Sequence, residues 1–385
     1  MSEHTADQLR GLVAAFLRTH DPRGDRVGFL RARFDAGLAW VHHPPGHGGL
    51  GAPPQLQAVT DAAFAEAGAP DNRPRRNSIG LGMAAPTLLR HATEAQCRRW
   101  LRPLWTGEEV WCQLFSEPDA GSDLASLRTR AVRDGADWVV DGQKVWTSMA
   151  HEARWAILLA RTDPAAAKHR GITYFVCDMT APGVQVRPLR QLTGEAEFNE
   201  VFLTGVRVPD DQRVGAVGEG WQIARTTLMN ERVAIGGRPL PREGGMVGVL
   251  ARLWRERPEL RTAGLHEEVL RSWVRAEAAR LAALRLRQLV AAGQPGPEGS
   301  AVKLSFAELS QRISGLEVEL LGAEGLRYDD WTMRRPTEPD LLGRTATFRY
   351  LRARGNSIEG GTSEILRTVI AERVLGLPAE PRVDK

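Results

Sequence analysis

Four short stretches of this 385-residue chain carry side chains able to do chemistry. "RGNSIEGGTSEILRTVIAERVLGLP" (354–378) holds one carboxylate, Glu359, ahead of two glycines and a Thr-Ser-Glu that opens a helix. It either takes a proton from a substrate or decorates a turn. "GEGWQIARTTLMNERVAIGG" (218–237) sets Glu231 directly before Arg232. On a helix starting near Gly220, Trp221, Ala224, Leu228, Glu231 and Ile235 fall within one face about 80° wide. An ionised carboxylate on an apolar stripe is costly unless paired or functional. Glu231 is thus an edge residue paired with Arg232, or a proton acceptor.

The other two stretches suit binding. "WCQLFSEPDAGSDLASLRTRA" (111–131) ends a strand in a loop with Ser116, Gly121 and Ser122. Such a loop offers hydroxyls and unencumbered backbone N–H groups to something flat or anionic. In "DGQKVWTSMA" (141–150), Trp146 beside Thr147 and Ser148 could wall one face of an aromatic ring system. Taken singly, these read as a turn and a core tryptophan rather than as a site. Their pairing at the edge of one small β-domain is what suggests a site.

Three kinds of segment must position these residues. Residues 1–110 read as helical: "ADQLRGLVAAFL" and "QLQAVTDAAFAEAGA" repeat apolar positions at three- and four-residue steps. Thr93 is a cap before "EAQCRRWL". From Trp111 to about 212, short β-rich runs such as "WVVDGQKVW", "GITYFVCDM" and "FNEVFLTGVRVP" alternate with Gly, Asp and Pro. That punctuation predicts a compact antiparallel β-domain. From Gly218 the chain is helical again, broken by a Gly/Pro-rich loop at 291–300. The expected domains are 1–110, 111–212 and 213–385.

Composition removes several function classes. Charged residues make up 25% and the net charge is +4, from 51 basic and 47 acidic side chains spread along the chain. This suits an anionic small molecule and is too diffuse for nucleic acid. The arginine-rich helix "VRAEAARLAALRLRQL" (274–289) reads as a solvated face. Three cysteines without metal-ligand spacing predict buried thiols in a reducing cytoplasm. No apolar run is long enough to span a membrane, and no secretory signal is expected. "GHGGLG" (46–51) matches a dinucleotide fingerprint literally, but it follows "HHPP" rather than a strand and runs into "APP". It reads as a glycine-rich loop.

In their order, "FSEPDAGSDLASL", "GQKVWTSMAHEARWAILLARTD" and "IEGGTSEILRTVIAERVLGLP" resemble the acyl-CoA dehydrogenase family, in its bacterial branch with a G-G-T-S-E-I C-terminus. The likeness runs from "GGLGAP" (48–53) through "LLGAEGL" (320–326) to "LGLP" (375–378). It implies an α+β fold: an N-terminal helical domain, a middle antiparallel β-barrel-like domain and a C-terminal four-helix bundle. It also implies FAD, an acyl-CoA substrate oxidised to its 2,3-enoyl form, an electron-transfer flavoprotein or similar acceptor, and a homo-oligomer or heteromeric assembly.

By that resemblance Gln113, Leu114, Ser116, Gly121 and Ser122 line flavin and thioester, with Ser122 also reaching substrate. Trp146, Thr147 and Ser148 sit against the ring. Glu319 and Gly322 are further FAD contacts, and Thr362, Ser363 and Glu364 contact the adenosine end of a neighbouring subunit's FAD, where a helix start suits a phosphate-bearing ligand. Asn230, Arg232 and Gly361 face the substrate.

In many family members the base is the glutamate of an E-G-T triplet, and that position here is Gly360. Glu359 is one residue off, about 100° round a turn or helix start. A second family arrangement places a Glu-Arg dipeptide on the first helix of the C-terminal domain, which matches Glu231-Arg232. Glu231 is therefore the expected base and Glu359 loop chemistry.

Two departures stand out. The R-x-x-F-G motif of many relatives is missing from 240–265, leaving Arg252, Arg257 or Arg261 as substitutes. Glu319 and Ala323 stand where relatives carry Gln and Gly. These leave open a carrier-bound or other substrate on the same fold, and a non-catalytic subunit of a heteromeric enzyme.

Overall fold

A computed structural model describes residues 4–236, 240–291, 296–328 and 330–379. The side chains of residues 233, 235, 236, 290 and 291, among them Ile235 of the face expected around Glu231, lie outside the description. The loop expected at 291–300 lies partly outside it as well. The chain divides into two compact units, 1–188 with 198–227, and 189–197 with 228–385.

The first unit opens with five α-helices: α1 (Ala6–Thr19), α2 (Arg26–Asp35), α3 (Gln57–Glu66), α4 (Ala85–His91) and α5 (Glu94–Thr106). Their starts are chemically marked. Thr5 and Thr93 each form a capping box with the glutamine three residues on, and Asp25 accepts from the N–H groups of Val27 and Gly28. Phe16, Phe29 and Phe64 meet edge to face at their centre.

Between α2 and α3 the glycine-rich loop 46–51 has no strand before it, as expected of a loop rather than a nucleotide site. Gly49 is obligatory there, because a Cβ would lie 2.0 Å from the His43 carbonyl oxygen. His43 packs edge-on against Trp40, and burial, with the charges of His42 and His47, lowers its pKa to about 3.

A prediction follows from the sign of that shift. The unfolded imidazole binds its proton near pH 6.5 and the folded one only near 3, so stability falls as pH drops through that window, by at most about 1.4 kcal/mol per unit. Urea denaturation at pH 7 and pH 5 should show wild type losing about 1–2 kcal/mol more than His43→Gln. Equal losses in both would count against it.

The sheet follows: β1 (Trp111–Leu114), β2 (Arg130–Asp134), β3 (Asp137–Ser148), β4 (Trp155–Arg161), β5 (Ile172–Asp178), β6 (Val184–Pro188), β7 (Phe198–Pro209) and β8 (Arg213–Val214). The order is β6-β7-β3-β2-β4-β5-β8, with β1 against β4. Most pairings are antiparallel, but β1 and β2 both run parallel to β4. The expected all-antiparallel pattern fails there because neither pair is joined by a hairpin turn. β4 and β5 are buried almost throughout and read as continuous apolar runs, whereas β3 and β7 alternate.

The helical C-terminal part contains six α-helices among the described residues: α6 (Gly220–Gly236), α7 (Met246–Glu256), α8 (Ala263–Ala291), α9 (Gly299–Leu321), α10 (Ala346–Ala353) and α11 (Ser363–Arg373). That is two more than a four-helix core requires. α9 carries the buried face of this region, including Val302, Ile313, Leu316 and Leu320. α6 starts at Gly220 as predicted, but its buried stripe is Gly220, Ile223, Ala224 and Thr227, with Trp221 and Leu228 only half-buried. Periodicity alone missed the stripe's centre because Thr227 counts as polar, while in the fold its hydroxyl meets those of Thr87 and Tyr174.

Candidate functional site

The binding stretches lie in the first unit. β1 buries Leu114 in the β-domain core, so only the backbone of Leu114 is free to face a ligand, while Gln113 is half-buried. After β1 the chain folds tightly. Glu117 and Ala120 exchange both backbone hydrogen bonds, at 3.0 and 3.1 Å. Gly121 and Ser122 are exposed at the tip, and a Cβ on Gly121 would meet nothing within 4 Å.

Two residues that motif reading did not single out hold this loop. The buried Glu117 carboxylate accepts from the N–H groups of Arg128 (2.6 Å) and Thr129 (2.9 Å). It also accepts from Lys144 Nζ at 2.9 Å, and that ammonium donates at 2.9 Å to the Phe115 carbonyl. The Val145 N–H adds a bond to the Ser116 carbonyl at 2.9 Å. Burial pushes the Glu117 carboxyl up, but Lys144 and the backbone donors outweigh it, leaving a net lowering. Burial lowers Lys144 to about 8 despite Glu117. A signal was present in the sequence: Lys144 shares strand parity with the buried Trp138 and Val140, and a charge at an inward position demands a buried partner.

Two residues past Lys144, β3 bulges. Lys144 faces Val201 and Thr147 faces Asn199, so Val145 and Trp146 together oppose one residue. Trp146 adopts φ +60° and is 58% exposed, with Phe198 edge-on at 5.9 Å. A left-handed backbone at a bulky residue is strained and persists only where the surroundings impose it. The bulge therefore presents an indole face outward instead of burying it. Beside it, Thr147 Oγ1 is buried with no hydrogen-bond partner among the described residues, and Ser148 is half-buried. An outward indole, an orphaned buried hydroxyl and an open glycine loop fit a flat, hydrogen-bonding ring system such as a flavin.

The carboxylates lie in the second unit, half-buried. Glu359 Oε2 accepts from Arg352 Nη2 at 3.0 Å, and Arg352 Nε donates to Glu197 at 3.0 Å. Burial alone would lower the Arg352 pKa, but the two carboxylates raise it overall, and burial raises Glu197 despite Arg352. Glu359 is thus committed to a loop-holding ion-pair network. Glu231 lies on α6 with Asn230 and Arg232, all half-buried. Burial lowers the Arg232 pKa, and its Nε is enclosed with no hydrogen-bond partner among the described residues. An orphaned guanidinium N–H fits an acceptor oxygen supplied by a ligand.

The remaining predicted contacts are also in this unit. Thr362 is the N-cap of α11, its hydroxyl accepting from the Ile365 N–H at 3.3 Å. Ser363 is buried and Glu364 exposed, while Gly361 has φ +98°. Glu319 is exposed near the end of α9, and Gly322 caps that helix at φ +55°. Of the arginines considered in place of the missing motif, Arg257 pairs with Glu324 and Glu259, and Arg261 donates to the carbonyls of Trp254 and Arg255. Arg252 is exposed and has no such commitment among the described residues.

Family models for the acyl-CoA dehydrogenase N-terminal, middle and C-terminal domains match residues 3–108, 112–206 and 218–375. The chain belongs to the acyl-CoA dehydrogenase family of oxidoreductases. Among its relatives is the acyl-CoA dehydrogenase FadE34 of Mycobacterium tuberculosis, 44% identical over 351 residues, covering 89% of this chain but 45% of that protein. The chain thus spans less than half the length of that relative. The acyl-CoA dehydrogenase IpdE1 of the same organism is 37% identical, covering 98% of this chain and 96% of that protein. A solved structure named "Tcur3481-Tcur3483 steroid ACAD" superposes with a TM-score of 0.74 at 27% identity, covering 97% of this chain and 98% of that one. Among the described residues no helix is long and apolar enough to cross a membrane, and the three cysteines are free and buried.

Proposed function

We propose that this protein oxidises an acyl-CoA thioester to its 2,3-enoyl form using FAD, with Glu231 as the base. The observations that carry the assignment are that Arg352 holds Glu359 at 3.0 Å in an ion-pair network, and that Glu231 adjoins Arg232, whose Nε is buried without an acceptor among the described residues. Trp146, Thr147, Ser148, Ser116 and the Gly121–Ser122 tip would hold the flavin. When bound, FAD supplies the acceptor for a hydride from the β-carbon. Glu231 takes the α-proton, and the electrons of that C–H bond form the new double bond. Arg232 orients the thioester with a permanently charged fork of donors. Arg252 is the proposed contact for a pyrophosphate, since Arg257 and Arg261 are engaged.

We further propose domains at 1–110, 111–212 and 213–385, an oligomeric cytoplasmic enzyme, and an electron-transfer flavoprotein or similar acceptor. The steroid named for a structural neighbour supports a bulky acyl group. A second reading, a subunit completing its site with a sister chain, is favoured by the missing R-x-x-F-G in 240–265 and by the paired labels of that neighbour.

The test is the visible spectrum of the purified protein, before and after anaerobic addition of a panel of acyl-CoA thioesters. A yellow protein bleached by one class of thioester is the expected result. A colourless protein that takes up flavin only when co-expressed with a sister chain would overturn the stand-alone enzyme in favour of the second reading.

A further inference from the structure

α9 carries a fully buried lysine, Lys303. Its ammonium donates at 2.8 Å to the Asn356 carbonyl and at 2.8 Å to the Gly361 carbonyl, the two ends of the loop that contains Glu359. Between those anchors Gly360 and Gly361 turn at φ +64° and +98°, conformations with little intrinsic stability of their own. Arg352 supports the same loop from α10, through Glu359 and Asn356 Oδ1. Burying an ammonium costs several kcal/mol unless it is well compensated, and among the described residues Lys303 spends its bonds on carbonyls rather than on a carboxylate. The compensation is electrostatic. Burial lowers the Lys303 pKa, the charges of Glu359 and Glu231 oppose that, and Arg232 adds to it.

We propose that Lys303 is a positioning residue for the reaction: it clamps both ends of the 356–361 loop and sets a buried cation in the field of Glu231. This rests on Glu231 being the base. Other charges acting in the same region are Arg232 on α6, Glu359 in the loop, Arg352 on α10, Glu197 between β6 and β7, and Arg373 on α11. Charge interactions are mutual, so a cation stabilised by Glu231 favours the carboxylate form of Glu231 in return.

The experiment compares wild type with Lys303→Met and Lys303→Gln, the latter retaining a donor without the charge. Hydrogen exchange of the 356–362 amides is followed in the protein without substrate, and the pH profile of flavin reduction is followed with it. In Lys303→Met the loop amides should exchange about tenfold faster or more, and the acidic limb should move up by roughly one pH unit. Lys303→Gln should keep most of the loop protection but show the same displaced limb. Unchanged exchange and an unchanged limb in a folded Lys303→Gln would overturn the proposal, even if Lys303→Met fails to fold. A limb that stays put while the loop loosens would reduce Lys303 to a structural clamp. Failure of wild type to reduce flavin with any thioester would instead strike at the Glu231 reading, and the exchange data would still decide whether Lys303 holds the loop.

Discussion

Glu231→Gln is expected to slow flavin reduction by acyl-CoA about 10²–10⁴-fold, the usual contribution of a general base. Glutamine keeps the shape and hydrogen-bonding reach of the side chain but cannot accept the α-proton, so thioester binding should change little. The companion Glu359→Gln should cost roughly tenfold or less. Arg352 would lose one of two carboxylates there and keep Glu197 at 3.0 Å. Rapid-mixing measurement of flavin bleaching in both variants separates the two carboxylates. If Glu359→Gln abolishes bleaching and Glu231→Gln does not, the assignment of the base reverses. If neither matters, the chemistry is not α-proton abstraction by either glutamate.

Lys144→Met should destabilise the first unit by about 3–5 kcal/mol, because it leaves the Glu117 carboxylate buried without its cation. Lys144 is 0% and Glu117 8% exposed, so solvent offers the orphaned charge little relief. The loss should also reach the flavin. The same ammonium holds the Phe115 carbonyl, next to Ser116, and the same strand bulges two residues later to expose Trp146. Urea denaturation and flavin content together check this. The double variant Glu117→Gln/Lys144→Met should recover a large part of the stability, since no unpaired charge remains, but less of the flavin affinity. A Lys144→Met protein as stable as wild type would show that the pair is not what ties the loop to β3.

How far could this be read from sequence? The helix, sheet, helix order and its family were legible because they rest on local signals: periodic apolar positions, capping residues such as Thr93, and turn residues around the β-runs. The candidate binding loop and Glu231-Arg232 were legible as short contiguous motifs. The parallel pairing of β1 and β2 with β4 was not, because strand partners far apart in sequence leave no mark on local pattern. The buried stripe of α6 was displaced for a related reason. Thr227 is polar by type and becomes interior only because Thr87 and Tyr174 satisfy its hydroxyl.

The deepest gap concerned charge. Glu117, Lys144, Lys303 and Arg352 look like ordinary surface residues in a list, and each of them meets partners across a long sequence interval, 53 residues or more for Lys303. The sequence by itself determined which elements form, the family, and the short motifs in which a base and a ring-binding loop are to be sought. Only the tertiary structure decided that Glu359 is tied to Arg352, which arginines are already committed, and which lysines are enclosed. The reason is physical: a side chain's type is local, but the desolvation and the partners that set its chemistry come from segments that meet only when the chain folds.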